Sequence, residues 1–282
     1  MPWGTIETML SQKTGSSPSA AFQSLVKYRS LLWQLTKREV LGRYRDSVLG
    51  LAWSLVHPLM MLTVYTLVFR FVFKSQWSTE NQSSIDFSLL LFAGLIAYWS
   101  FSECISRAPN LIKSNVNYVK KVMFPLELLP LVSLAASLFH MCVSVIVLLL
   151  FYGLQHLSLN WTVIVFPLLV VPLALFALGT SWFLASVGVF VRDIGQVIGV
   201  LTNILLFMSP VFYPLSALPV SYQPFMYLNP LTFQVEQMRE VLIMGRPLAW
   251  EGFGVYFLCS IVTAWAGLWW FQKTKKGFAD VL

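Results

Sequence analysis

The sequence feature that most constrains the fold is the run from Leu128 to Val191, which contains no Asp, Glu, Lys or Arg. A helix needs about 20 apolar residues to cross a bilayer, so this run is long enough for two crossings. A second uncharged run extends from Ile194 to Val235. Charged residues make up 11% of the chain, whereas soluble domains have about 25%. The sequence therefore predicts an all-α, polytopic membrane protein.

Prolines interrupt the second uncharged run at regular intervals. They stand at positions 210, 214, 219, 224 and 230. A proline inside a helix removes a backbone donor and ends or kinks the helix, so this run does not predict two further crossings. Broken backbone at membrane depth is tolerated only where it is buried in protein or lines a water-filled cavity. We therefore expect one span followed by a re-entrant segment, 210–232, that returns to the side it left.

This count predicts six transmembrane helices. The predicted spans are 51–73, 87–106, 130–152, 162–188, 195–213 and 252–271. Segment 25–48 is amphipathic and too charged to span, which is typical of a helix in the membrane interface. The predicted divisions of the chain are a flexible start (1–24), the interface helix (25–48), the membrane domain (49–272) and a tail (273–282).

The basic residues predict the orientation of the chain. With six spans and the N-terminus inside, most of the 19 Lys and Arg residues fall in cytoplasmic segments, as the positive-inside rule requires. Both termini are then cytoplasmic. A seventh crossing through the proline-rich stretch would place the basic tail outside. The net charge of +7 reflects this bias, and we predict no nucleic-acid partner.

Several kinds of catalytic or binding motif are missing from the sequence. It has no GxxxxGK[ST] loop to hold the phosphates of ATP, and its spans have no series of acidic or basic residues of the kind that ion-coupled transporters use. Cys104, Cys142 and Cys259 stand alone in apolar segments, so we predict no metal site and no catalytic residue. A transporter of this composition needs energy from a partner chain.

Segment 107–127 is the predicted docking surface for that partner. It is long for a turn, and it places apolar residues beside basic ones. The predicted contacts, together with a charged turn after span four, are Lys113, Lys120, Lys121, Met123, Phe124, Arg192 and Asp193. The alternative interpretation is an interfacial helix that touches only lipid headgroups.

Aromatic residues, 15% of the chain, are candidates to line a transport path. Flat aromatic faces stack on the C–H-rich faces of sugar rings without trapping them through strong hydrogen bonds. Tyr65 and Phe69 share one face of span one at i, i+4 spacing. The other candidates lie around the proline-rich stretch, and they are Phe207, Phe212, Tyr213, Tyr222, Phe225 and Tyr227. The alternative for each residue is simple packing.

Seven motifs together resemble the permease subunits of type-2 ABC exporters that move bacterial O-antigen, capsule and teichoic acid. The matching stretches are LLWQLTKREVLGRYRDSVLGLAWSLVHPL (31–59), AGLIAYWSFSECI (93–105), KKVMFPLELLPL (120–131), VFVRDIGQVIG (189–199), SPVFYPLSALP (209–219), NPLT (229–232) and GFADVL (277–282). The resemblance covers essentially everything after about residue 25.

The resemblance implies a homodimer of six-span subunits in the bacterial cytoplasmic membrane, served by two cytoplasmic ATPase subunits that bind ATP and Mg²⁺. It further implies that 107–127 holds a coupling helix, that 210–232 forms gate helices on the outer face, and that a channel at the dimer interface carries a lipid-linked polysaccharide. Membrane lipids are the remaining expected partners. The alternatives are a type-2 ABC exporter of small hydrophobic compounds and an integral membrane glycosyl- or acyltransferase.

Overall fold

The computed structural model describes residues 27–45, 47–69, 84–119 and 124–282. Within these ranges the regular structure is helical, so the prediction of an all-α polytopic membrane protein is confirmed. The helices are α1 (Arg29–Gly42), α2 (Trp53–Leu67), α3 (Ser84–Leu111), α4 (Val116–Val119), α5 (Leu128–His156), α6 (Phe166–Phe190), α7 (Ile194–Met208), α8 (Gln223–Met226), α9 (Pro230–Arg239), α10 (Trp250–Thr274) and α11 (Phe278–Val281).

The described residues contain five helical stretches that are long and apolar enough to cross a membrane. They are Gly50–Leu67, Phe87–Leu111, Leu128–His156, Trp161–Phe190 and Trp250–Val281. The stretch predicted as span five is the shorter helix α7, which has 15 residues. At about 1.5 Å per residue it measures roughly 22 Å, less than the roughly 30 Å of a hydrocarbon core. The count of six spans therefore stays a prediction.

Several helices end a few residues away from the predicted ends, and two of these differences have a local cause. Helix α7 ends at Met208 instead of continuing to 213, because Ser209 is extended, as expected for a residue before proline. Helix α3 continues to Leu111 through Pro109, beyond the predicted end at 106. Its last turns stay helical because they bury apolar side chains, with Ala108 and Ile112 at most 1% exposed.

Helix α3 is the centre of the bundle. It packs against α5, α6, α7 and α9, and Leu91, Phe92 and Ala93 in its first half are completely buried. Helix α10 packs mainly against α6. At their crossing a Cβ atom on Gly267 would overlap the carbonyl of Gly179, so only small residues permit this approach of two backbones.

Contacts between elements define two ends of the bundle. Residues 38–44, 103–119, 124–127, 186–195 and 274–282 meet at one end, which we call the charged end. Residues 87–90, 156–162 and 209–250 meet at the other, which we call the proline end. Segment 209–249 thus begins and finishes at the same end of the bundle, and re-entry of 210–232 into a membrane stays a prediction.

Candidate gate, coupling surface and transport path

Arg239, the last residue of α9, holds the broken backbone of the proline end together. The residue is only 3% exposed. Its Nε donates to the carbonyl oxygen of Leu90 at 3.0 Å, one terminal nitrogen donates to Pro210 at 2.6 Å, and the other donates to Val211. Pro210 and Val211 follow the end of α7, where carbonyls have no partner within a helix, and the forked guanidinium supplies several donors at once. Arg239 therefore fixes the start of the re-entrant segment against α3.

Asn229 closes the re-entrant segment into a loop. As the N-cap of α9, its side-chain oxygen accepts a hydrogen bond from the amide of Leu231 at 2.9 Å. Its side-chain nitrogen donates to the hydroxyl of Ser209, also at 2.9 Å. The two ends of 209–229 are thus joined directly. Between them the chain forms only a 3-10 turn at Leu215–Ala217 and the single turn of α8.

The aromatic residues predicted to form the gate lie on or near the surface of the single chain. Phe207, Tyr222, Phe225 and Tyr227 are between 55% and 69% exposed. The rings of Phe207 and Phe212 stack with centroids 5.8 Å apart, and the hydroxyl of Tyr213 donates to the carbonyl of Phe207 at 3.3 Å. The structure therefore brings three of the predicted residues into one cluster at the end of α7.

Tyr227 belongs to a different contact. Its hydroxyl donates to the carboxylate of Glu236 on α9 at 3.3 Å. Burial first, and the neighbouring negative charge of Glu236 second, raise the pKa of the Tyr227 phenol. Tyr222 and Phe225 project from the same short loop without joining the cluster around Phe212 in any described ring contact.

Tyr65 and Phe69 face different surroundings, although they were predicted to share one face of span one. The ring of Tyr65 lies 6.4 Å from that of Trp99 and lines a cavity between α2, α3 and α5. The ring of Phe69 packs on Phe87 at 5.1 Å, near the proline end. Only Tyr65 is therefore placed beside open space within one chain.

The predicted coupling surface lies at the charged end, as far as it is described. Lys113 is in the 3-10 turn Lys113–Asn115, and Phe124 stacks on Tyr118 of α4 with ring centroids 4.3 Å apart. Lys120, Lys121 and Met123 lie outside the described residues. Arg38 of α1 donates to the Tyr118 hydroxyl at 2.7 Å, so the interface helix contacts the coupling surface directly.

The charged turn after α6 lies beside the same surface. Arg192 and Asp193 are both exposed. Their neighbours Gly188 and Gly195 face Pro109 and Asn110 at the end of α3, so the turn and segment 107–119 adjoin. These two predicted sites, distant in sequence, form one surface.

Ion pairs that the sequence did not indicate tie α1 to α3. Arg43 bonds Glu103, and Arg107 bonds Glu39, while Arg107 also lies 3.6 Å from Glu103. Burial, followed by the nearby charge of Arg107, lowers the pKa of Arg43. From the sequence, the i, i+4 spacing of Glu103 and Arg107 could have indicated the contact between these two residues, but not their contacts with Glu39 and Arg43. Lys275 forms a further pair with Glu127 at 3.0 Å.

Helix α7 leaves an apolar face without cover in the single chain. Val197, Val200, Ile204 and Phe207 are between 47% and 69% exposed. They follow the i, i+3, i+7 and i+10 positions of one helix face. The opposite face carries Ile198 and Thr202, and the Thr202 carbonyl accepts a hydrogen bond from the buried Tyr98 of α3 at 2.8 Å.

The sequence pattern of the ABC-2 type transporter family matches residues 30–243. The chain belongs to this family. The match begins in α1 and ends in the π turn after α9, so it contains the bundle, the re-entrant segment and Arg239. Proteins of the family are permease subunits, and ATP hydrolysis resides in a separate subunit.

Similar proteins match this chain over most of its length. The chain is 28% identical to the O-antigen export system permease protein RfbA of Myxococcus xanthus, over 92% of this chain and 97% of the relative. It is 27% identical to the protein of that name from Klebsiella pneumoniae, over 89% and 95%. It is 23% identical to the polysialic acid transport protein KpsM of Escherichia coli, over 82% and 88%.

Proposed function

We propose that this chain is the membrane subunit of an ATP-driven exporter that moves a lipid-linked surface polysaccharide across the bacterial cytoplasmic membrane. The observation that carries this proposal is the end-to-end similarity to export permeases whose names specify O-antigen and polysialic acid. The described bundle supports it, because its re-entrant segment and exposed aromatic residues suit a path for sugar chains.

In this proposal two copies of the chain form the channel. The uncovered face of α7 supports a homodimer, because its apolar side chains lie beside the exposed aromatic residues of the proline end. Gly199 on the same helix has open space at its Cβ position in the single chain, and a residue this small would permit close packing. The channel then runs between the two copies, and segment 210–232 closes it at rest.

The charged end is the cytoplasmic end in this proposal, and it docks two ATPase subunits. The ATPase subunits bind ATP and Mg²⁺. Segment 107–127 and the turn at Arg192 and Asp193 form the docking surface, and their adjacency in the structure supports this assignment. Replacing Lys113 with Glu is expected to leave insertion intact and to uncouple ATP hydrolysis from export.

The function is tested by deleting the gene and measuring glycan on the cell surface and in the cytoplasm. We expect surface glycan to disappear and lipid-linked glycan to accumulate inside. Normal surface glycan together with lost resistance to hydrophobic compounds would instead favour an exporter of small molecules.

In vesicles of known orientation, a Cys at position 275 should react only from the cytoplasmic side, and a Cys at position 158 only from the outside.

The gate is tested by ion conductance in planar bilayers. Phe212→Ala removes one ring of the stacked pair with Phe207, and with it a contact between α7 and the proline-rich segment. We expect the variant dimer to conduct ions at rest or to lose export. Trp269→Ala, on the exposed face of α10, is the matched control and should change neither property. Equal effects of the two variants would remove the gate from the proposal.

A further inference from the structure

A cavity of about 520 Å³ lies between α2, α3 and α5. It begins beside Arg43 and Glu103 at the charged end and extends along α2 to Tyr65. Ligand pockets in proteins measure about 300–1,000 Å³, so this volume is enough for a small molecule or for part of a larger one. None of the candidate gate residues of the proline end lines it.

The aromatic part of the cavity wall is held rigidly. Trp99 of α3 is contacted by three other rings, with centroid distances of 5.9 Å to Phe92, 6.2 Å to His57 and 6.4 Å to Tyr65. On another side, the ring of Tyr44 lies edge-on to His140 at 6.0 Å. Rings fixed in this way bind a flat ligand face without first losing conformational freedom.

Another part of the lining combines four serine hydroxyls with apolar side chains such as those of Met61 and Ile96. Ser54 donates to the carbonyl of Leu51 in the turn before α2, Ser144 donates to the carbonyl of His140 in its own helix, and Ser137 donates to the carbonyl of Ser100. A serine hydroxyl that donates keeps lone pairs that accept hydrogen bonds from a ligand. The buried Nε2 of His140 has no hydrogen-bond partner among the described residues. Such groups are costly unless a ligand or water satisfies them.

The charges of the lining select against an anion. The described lining of the cavity contains one basic residue, Arg43, and one acidic residue, Glu103, and the two form an ion pair. The nearby Arg107 is likewise bonded to Glu39 and lies close to Glu103. A phosphate would have to displace a carboxylate from an arginine before it could bind. A neutral molecule with many hydroxyl groups and a flat apolar face meets no such competition.

We propose that this cavity binds a neutral sugar residue of the exported glycan on the cytoplasmic side, outside the channel between the two copies. The proposal rests on the proposed function for its substrate class. Trp99 stacks on one face of the sugar ring, and the serine hydroxyls and His140 bond its edge. The site holds one end of the glycan beside α1 and α2 before the chain enters the channel.

The experiment measures binding of single sugars to the intact subunit together with its ATPase in lipid nanodiscs. The probes are glucose, galactose, mannose and N-acetylglucosamine, each tested by saturation-transfer NMR, with inorganic pyrophosphate as the anionic comparison. We expect at least one sugar to bind. Trp99→Ala should weaken that binding about tenfold, the size of one aromatic stacking contact, whereas Trp99→Phe should retain most of it.

Two further variants keep the test decisive. Ser144→Leu narrows the cavity and removes one of its hydroxyl groups without removing a ring, so it should weaken sugar binding even where Trp99→Ala does not fold. Trp269→Ala removes a tryptophan from the exposed face of α10 and should leave sugar binding unchanged. A loss of binding in Trp269→Ala equal to that in Trp99→Ala would overturn the location of the site.

Three outcomes separate this proposal from the proposed function. Absence of sugar binding, with normal dependence of surface glycan on the gene, overturns the sugar site and leaves the exporter intact. Binding of pyrophosphate without any sugar overturns the neutral-sugar assignment. Normal surface glycan after gene deletion overturns the proposed function itself, whatever the NMR experiment gives.

Discussion

The proline end and the charged end of the bundle both depend on arginine, but they use it differently. At the proline end Arg239 is 3% exposed and donates to three backbone carbonyls. At the charged end Arg43 and Arg107 bond carboxylates, and their side chains are 27% and 35% exposed. One end uses a buried cation to satisfy broken backbone, while the other pairs charges where water still reaches them.

This difference indicates which end tolerates change. A buried carbonyl that loses its partner cannot turn to water, so the full cost of desolvation falls on the protein. A partly exposed carboxylate that loses its arginine is solvated again by water, so the loss of the ion pair lowers the stability only slightly. Substitutions at the proline end should therefore lower the stability of the fold strongly, whereas the ion pairs of the charged end should be replaceable at little cost in stability. This contrast fits the proposed roles of the two ends, with a fixed frame around the proposed gate and an adaptable surface for the proposed ATPase partner.

The largest effect is expected from Arg239→Met. The change leaves the carbonyls of Pro210 and Val211 without this donor, and each unsatisfied buried group costs about 1–3 kcal/mol, so the total is at least about 2 kcal/mol. We expect low yield of folded protein and a much lower melting temperature in detergent. Arg239→Lys should be intermediate, because an ammonium group lacks the forked geometry.

Arg246→Met is the matched control for this test. Arg246 lies shortly after α9, its side chain is 66% exposed, and its nearest carboxylate, on Glu240, is 3.7 Å away. Its replacement should change the melting temperature little. Equal destabilisation by the two variants would show that the sensitivity of the proline end to substitution does not come from the burial of Arg239.

An intermediate effect is expected from Gly188→Ala, which tests whether the charged end is held by backbone contact more than by charge. A Cβ atom on Gly188 would overlap the backbone of Pro109, so α6 and α3 would have to separate. Overpacking of this kind typically costs about 1–3 kcal/mol. Thermal unfolding should register the loss. Gly42→Ala at the same end has open space around its Cβ position and should be neutral; a stable Gly188→Ala protein would contradict the argument.

The fold was predictable from the sequence where one residue type decides the outcome. The absence of charge from Leu128 to Val191 leaves no alternative to membrane helices, and α5 and α6 fill that run. Pro210 ends α7 because the residue before a proline avoids helical backbone. Each of these inferences depends on local chemistry alone, and no knowledge of neighbouring elements is needed.

The partners of individual side chains were not predictable in this way. The prolines indicate that backbone carbonyls must find donors, but nothing in the sequence names Arg239 as the donor. Its neighbours Glu236, Glu240 and Arg246 made the segment after Pro230 look like an ordinary amphipathic stretch. Tyr65 and Phe69 share a helix face, yet α3 offers Trp99 to one and Phe87 to the other. Such pairings depend on which helices meet.

The smallest effect is expected from Glu39→Gln at the charged end. The change removes the negative partner of Arg107, but Arg107 keeps Glu103 within 3.6 Å, and the Glu39 side chain is already 33% exposed. Ion pairs with this exposure contribute less than about 1 kcal/mol and weaken further in salt. The melting temperature should fall slightly in dilute buffer and match that of the unmodified protein at high salt. Destabilisation as large as that of Arg239→Met, and unaffected by salt, would mean that buried electrostatics hold both ends, and the contrast between them would fail.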